Sequence, residues 1–141
     1  MANVKTSRIK RITPPVEATD VSTYCRDLDR WPHSWMGLEK DLRPGEELLP
    51  QLRLFIEHLA WSGLSPKTIR RHVDNLWLLG GEIIRDLHYD PSLRKLSAER
   101  LLRSVIHQHG GPLIHNGSEE EQSSFDSTCR KLHRFLSQRR S

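Results

Sequence analysis

The feature that most constrains the fold of this chain is a run of apolar residues spaced to cover one face of an α-helix. Between residues 45 and 62 the apolar positions recur at intervals of three and four, with charged residues between them. This spacing, with Glu46 and Glu47 in the first turn, predicts an amphipathic helix over residues 45–62. Gly63 stands where a C′ residue would end it. The apolar face comprises Leu48, Leu49, Leu52, Phe55, Ile56 and Leu59.

Three further helices are indicated by capping and stop signals. Ser65-Pro66 supplies an N-cap and a first-turn proline, and Pro91 stops this second helix by about residue 90. Ser97 begins a third helix, which Gly110-Gly111-Pro112 ends. A capping box at residues 118–121 begins the fourth. No strand-like alternation persists along the chain, so the sequence predicts an all-α fold, a single bundle of four main helices.

The second helix carries a glycine pair inside its apolar stripe. Gly80-Gly81 weakens the helix, and we expect its use to be close approach by another helix, or a kink. The buried stripe is predicted to comprise Ile69, Val73, Leu76, Trp77, Gly80, Ile83, Ile84 and Leu87.

The 141 residues suit one domain preceded by an arm. Residues 1–30 show no sustained periodicity and are predicted to form an extended, mobile basic arm, with the helical domain over 31–141. The segment 31–38 contains two tryptophans and a methionine, side chains that are unfavourable in water. It is expected to fold back as a clasp over the helical core. The alternative is an aromatic surface for a protein partner, formed by Trp31, Trp35 and Met36.

Basic residues concentrate at the two ends of the chain. The first thirteen residues carry a net charge of +4 and residues 128–141 carry +5, whereas the remainder carries −5. Basic ends of this kind favour a polyanion such as nucleic acid, and a solvated tail is an equal alternative. Two cysteines 104 positions apart suit a reducing compartment, and no apolar run approaches a membrane span. We therefore expect a cytoplasmic protein.

Residue patterns of known catalytic or metal sites are missing from the sequence. His107, His109 and His115 cluster near one loop with Cys129 as the nearest thiol, but their spacing matches no metal motif. No nucleophile elbow or phosphate-binding loop occurs. The expectation is a non-enzymatic protein with no cofactor and no metal.

The first turns of the second helix form the most suggestive surface. Lys67 and Arg71 share a face, Arg70 lies beside them, and the helix N-terminus offers free N–H groups to a phosphate. An ordinary charged outer face is the alternative, favoured by the acidic residues that follow at Asp74, Glu82 and Asp86.

Residues 55–76 resemble the N-terminal core-binding domain, of SAM-like type, of tyrosine recombinases (phage integrases). The family shows an aromatic-x-x-x-Leu, a Gly-Leu-Ser before a helix, a Thr-Ile pair and a basic turn. The resemblance implies a bundle of about four helices that clamps duplex DNA through the face holding Lys67, Arg70 and Arg71. The matching residues are Phe55, Leu59, Gly63, Leu64, Ser65, Thr68, Ile69 and Leu76.

The likeness has limits further along the chain. The sequence departs from the family after Leu76, and no part of it matches the family's His-x-x-Arg and nucleophilic tyrosine. Recombinase activity is therefore not implied. The chain is also similar to small bacterial proteins of unassigned role that share the core Thr-Ile-Arg-Arg-His-Val-Asp-Asn-Leu.

These patterns favour an accessory protein, of bacterial or mobile-element origin, that binds duplex DNA. The arm at residues 5–11 is expected to add further contacts with the DNA. The alternative is a helical protein–protein interaction module; the acidic run Glu119–Glu121 would favour it by repelling DNA if it lay beside Lys67. The predicted DNA contacts are Lys67, Thr68, Arg70, Arg71, Arg130, Lys131 and Arg134.

Overall fold

The computed structural model describes residues 20–139, and every regular element in that range is helical. The all-α prediction is confirmed, with five α-helices where four main ones were expected. No strand forms within residues 20–139, although His107 and Gly110 pair as an isolated bridge. The helices are α1 (Trp31–Trp35), α2 (Leu42–Trp61), α3 (Pro66–Tyr89), α4 (Ala98–Val105) and α5 (Glu119–Gln138). Short 3₁₀ turns lie at Val21–Thr23, Leu28–Arg30, Glu39–Asp41 and Pro91–Lys95.

Helix α2 begins three residues earlier than the periodicity indicated. The 3₁₀ turn Glu39–Asp41 runs directly into Leu42, so the backbone enters α2 already wound, and the two glutamates lie in its second turn. At the other end Gly63 has φ +84°, which confirms it as the C′ residue. The six apolar positions of the predicted face are buried except Leu49, which is half-buried.

Helix α3 confirms its predicted start and end but not its whole stripe. The Ser65 hydroxyl accepts a hydrogen bond from the Thr68 N–H at 3.2 Å, and the helix ends at Tyr89 before Pro91. Trp77 is 41% exposed, so its placement in the buried stripe was wrong. It lies at the edge of the face, and its indole N–H donates to the Ser34 hydroxyl.

The last two helices begin at the predicted caps. Ser97 accepts a hydrogen bond from the Arg100 N–H, and the Ser118–Glu121 capping box forms as expected. Helix α4 ends at Val105, well before the glycine pair, because Ile106 is extended and buried and the chain then turns back between His107 and Gly110. The prediction that α4 continues to the glycines was wrong.

The boundary expected at residue 30 between a mobile arm and the helical domain was also wrong. Val21, Cys25 and Leu28 are buried within the core, and two 3₁₀ turns lie among residues 20–30. These three residues are spaced by four and three positions, which is typical of one buried helical face. Because the residues between them are polar, this pattern was not recognised from the sequence. The remainder of the predicted arm, residues 1–19, lies outside the described residues.

The clasp over the core is confirmed. Trp31 is only 3% exposed, and the indole N–H of Trp35 donates to the Trp77 carbonyl of α3 at 3.0 Å. The Trp35 ring lies on Gly80, where a Cβ would overlap it, so the predicted close approach to the glycine pair is confirmed. Trp31 is therefore closed to a partner, whereas Met36 is exposed.

The glycine pair provides a matched stability test of this packing. A Cβ at Gly81 would meet the Trp35 ring at an ordinary 3.6 Å, whereas one at Gly80 would displace it. Gly80→Ala should lower the free energy of unfolding by about 1 to 2 kcal/mol, because overpacking outweighs the gain in helix propensity. Gly81→Ala should be neutral or stabilising by up to about 1 kcal/mol. Urea unfolding followed by circular dichroism measures both; equal shifts would contradict the Trp35 contact.

Candidate nucleic-acid interface

Helices α3 and α5 pack antiparallel through polar contacts. Nδ1 of His72 lies 2.7 Å from the Thr128 hydroxyl oxygen, and one turn later the Asn75 amide donates to the Ser124 carbonyl at 3.1 Å. As residue numbers in α3 increase, the residue numbers of their contacts in α5 decrease. The start of α3 therefore lies beside the second half of α5. Two segments that are some sixty residues apart in sequence are therefore brought to one surface.

The buried polar pair beneath this surface lies outside the predicted site. His72 and Asn75 are buried within α3, and the Nε2 atom of His72 has no hydrogen-bond partner among residues 20–139. Burial, together with the positive charges of Arg71 and Lys131, lowers the pKa of His72 to about 4. Both cations therefore lie close to the imidazole, one from each helix.

Four of the predicted contact residues gather around this junction. The Arg71 guanidinium donates to the Ser124 hydroxyl at 2.9 Å, which holds it against α5. Lys67 is exposed one turn before Arg71, and on α5 half-buried Lys131 and exposed Arg134 follow Thr128 at a helical spacing. We call the set Lys67, Arg71, Lys131 and Arg134 the basic surface.

The other three predicted contacts have neighbours elsewhere. The Arg70 guanidinium carbon lies 6.0 Å from the centre of the Tyr24 ring, on the side of the N-terminal segment. Arg130 donates to the His109 carbonyl at 3.4 Å, toward the loop after α4. The Thr68 hydroxyl accepts a hydrogen bond from Ser65 and belongs to the helix cap. Arg70 and Arg130 thus flank the basic surface, and Thr68 holds the start of the helix that carries it.

The acidic run of α5 lies at the far end of this helix pair. Glu119–Glu121 begin α5, and the antiparallel pairing places them near residue 80 of α3. That is 13 residues, about 20 Å, from Lys67. Consistent with this placement, Glu82 accepts a hydrogen bond from the backbone of His115, shortly before α5. The acidic run does not adjoin Lys67, so the repulsion argument for a purely protein-binding module does not apply.

A groove formed by segments far apart in the chain, which no local sequence pattern predicted, borders the basic surface. It lies between the end of α2, the α2–α3 turn and the last turns of α5, and has a volume of about 200 Å³. The Phe135 ring packs against His58 at 4.8 Å and Phe55 at 5.4 Å between ring centres. The lining residues are Phe55, His58, Leu59, Ser62, Leu64, Lys131, Arg134, Phe135 and Gln138.

In the described part of the chain, the side chains are not arranged for nucleophilic catalysis by cysteine or for metal binding. Burial raises the pKa of the Cys25 and Cys129 thiols to about 12, so neither is a thiolate nucleophile at neutral pH. Within residues 20–139 no group of three or more His, Cys, Asp or Glu side chains could hold a metal ion. Among the helices described, none is long and apolar enough to cross a membrane.

No protein-family model, curated protein or solved structure matches this chain significantly. The interface is therefore interpreted from its own geometry and charge.

Proposed function

We propose that this protein is a non-enzymatic accessory factor that binds duplex DNA through the basic surface of α3 and α5. The observation that carries the proposal is the antiparallel pairing of these helices, which brings predicted cations from two segments some sixty residues apart to one surface. The acidic run lies about 20 Å from Lys67, although Glu121 is within one turn of the Ser124 that Arg71 contacts. The direct hydrogen bond from Arg71 to Ser124 orients one guanidinium before any ligand arrives.

The mode of binding follows from the kind of groups present. Lysine and arginine side chains neutralise backbone phosphates and release their counterions, which supplies affinity without reading sequence. The start of α3 adds the positive end of a helix dipole beside Lys67, which favours a phosphate oxygen. This arrangement suits positioning on a duplex rather than chemistry on it.

The local geometry around the α2–α3 turn supports the resemblance to the recombinase core-binding domain. Two residues of the shared pattern have structural roles in this turn: Gly63 adopts a left-handed conformation, and Ser65 caps the start of α3. We extend the proposal to a SAM-like, core-binding type of bundle, without the recombinase's catalytic activity.

The proposal predicts binding that weakens with salt. A fluorescently labelled random duplex, titrated with protein at low and then rising salt, should show anisotropy-detected binding with a log–log slope of roughly −3 to −4, about 0.9 for each of the four contacts. Absence of binding at low salt would reject the proposed function, because the electrostatic contribution is greatest there.

A second candidate function rests on a different face. Met36, Leu38, Trp77 and Tyr89, on or near α1 and α3, each expose at least 38% of their surface. Exposed apolar side chains in one region favour a protein–protein contact. If the salt titration detects no duplex binding, this face becomes the leading site for an interaction module.

A further inference from the structure

The groove beside the basic surface combines an apolar lining, against which a nucleobase can pack, with cations that can bind phosphate. Its floor is made of ring and aliphatic carbons from Phe55, Leu59 and Phe135. Lys131 and Arg134, both of which belong to the basic surface, also line the groove. A strand whose phosphates lie along that surface would therefore pass directly over an aromatic recess.

The volume of the groove restricts the kind of ligand that can bind in it. Its volume of about 200 Å³ is below the roughly 300 Å³ at which small-molecule pockets begin. A base paired within a duplex is covered on both faces by its neighbours and cannot stack on a protein ring. A base that is unpaired has free faces, and aromatic side chains bind such faces without strong sequence preference.

We propose that this groove takes one unpaired nucleobase from a DNA whose duplex part lies on the basic surface. The inference rests on the proposed function and narrows its substrate class to a duplex with an adjoining single-stranded segment. The base takes the place of the Arg139 guanidinium, whose central carbon lies 5.4 Å from the centre of the Phe135 ring, and lies against Phe135 and His58. Its flanking phosphates face Lys131 and Arg134. The groove thus distinguishes a frayed, gapped or overhanging duplex from a blunt one.

Three DNA ligands test this inference on the unmodified protein: a blunt duplex, the same duplex with a short thymine overhang, and the same overhang built from abasic nucleotides. The overhang is placed at the 3′ end and, separately, at the 5′ end, and the tighter of the two is compared. We expect the thymine overhang to bind roughly fivefold to hundredfold more tightly than the blunt duplex. The abasic overhang keeps the added phosphates but should lose most of that gain.

Each outcome has a definite meaning. Equal affinity for blunt and overhanging duplexes, or an equal gain with the abasic overhang, overturns the groove assignment and leaves duplex binding intact. Failure to bind the blunt duplex at low salt overturns the proposed function itself. The two failures are therefore distinguishable in one experiment.

A variant pair locates the effect. Phe135→Leu keeps an apolar side chain against the core but removes the ring, and it should abolish the overhang preference while leaving blunt-duplex affinity unchanged. Trp77→Leu removes an exposed ring from the α1 side of α3 and should keep the preference. A preference that survives Phe135→Leu, or that is lost in Trp77→Leu, would overturn the assignment to the groove.

Discussion

Replacing Asp41 by asparagine should lower the free energy of unfolding by about 3 kcal/mol, because a buried carboxylate is lost and the half-buried Arg94 loses its counter-charge. The Asp41 carboxylate is fully buried, and one oxygen accepts a hydrogen bond from Arg94 at 2.6 Å. The other accepts the Gly37 and Leu38 N–H groups and lies 2.7 Å from Nε2 of His88. One side chain thus joins the α1–α2 connection, the end of α3 and the turn that follows it.

The same contacts set the pH dependence of this contribution. The hydrogen bonds from Arg94, from two backbone N–H groups and from His88 outweigh the effect of burial and hold the pKa of Asp41 well below its ordinary value of 3.8. A lowered pKa in the folded state means that the stabilisation is complete above that ordinary value and is lost as the pH falls below it. The deficit of the asparagine variant should therefore be full at neutral pH and shrink in acid.

Asp29→Asn is the matched control. Asp29 also pairs with an arginine, Arg53, at 2.8 Å, but both groups are exposed to solvent. Exposed ion pairs contribute about 0 to 1 kcal/mol, so this variant should unfold close to the wild type in urea. Comparable losses in the free energy of unfolding for the two substitutions would show that burial does not increase the contribution of the Asp41 ion pair to stability.

The second large effect concerns DNA. Changing Arg71, Lys131 and Arg134 together to glutamine should lower the salt slope of duplex binding by about three units and weaken binding more than tenfold at about 0.1 M salt. All three cations lie on the basic surface, and glutamine keeps most of each side chain's length. Anisotropy titrations at several salt concentrations give both quantities.

A control with the same change in net charge separates local contact from overall charge. Lys40, Arg43 and Lys95 are exposed cations outside the basic surface. Lys40 and Arg43 lie around the start of α2, whose other end borders the groove, and Lys95 follows the end of α3. Their triple replacement by glutamine should retain most of the slope. Equal losses in the two triple variants would mean that net charge, rather than this surface, governs binding.

The elements that sequence predicted best are those with local physical signals. Ser65, Ser97 and Ser118 cap their helices because a serine hydroxyl accepts a nearby backbone N–H, and Gly63 ends α2 because it adopts a positive φ. Such signals lie within four residues of the feature they determine. They do not depend on the rest of the fold.

What sequence reasoning missed depends on packing between distant segments. Val21, Cys25 and Leu28 are separated by polar residues, and only their contact with the core makes them buried. The pairing of His72 with Thr128 spans 56 positions, and no local pattern encodes it. For the same reason the groove, built from residues 55–64 and 131–138, became visible only in the folded chain.

The central claim, that duplex DNA lies on the α3–α5 surface, is tested most directly by lysine footprinting. The described residues contain four lysines: Lys67 and Lys131 belong to the basic surface, whereas Lys40 and Lys95 do not. Acetylation at low salt, with and without a saturating random duplex, followed by mass spectrometry, reports the reactivity of each. We expect DNA to protect Lys67 and Lys131 several-fold and to leave Lys40 and Lys95 unchanged. Protection of Lys40 and Lys95 instead, with Lys67 and Lys131 still reactive, would contradict the assignment.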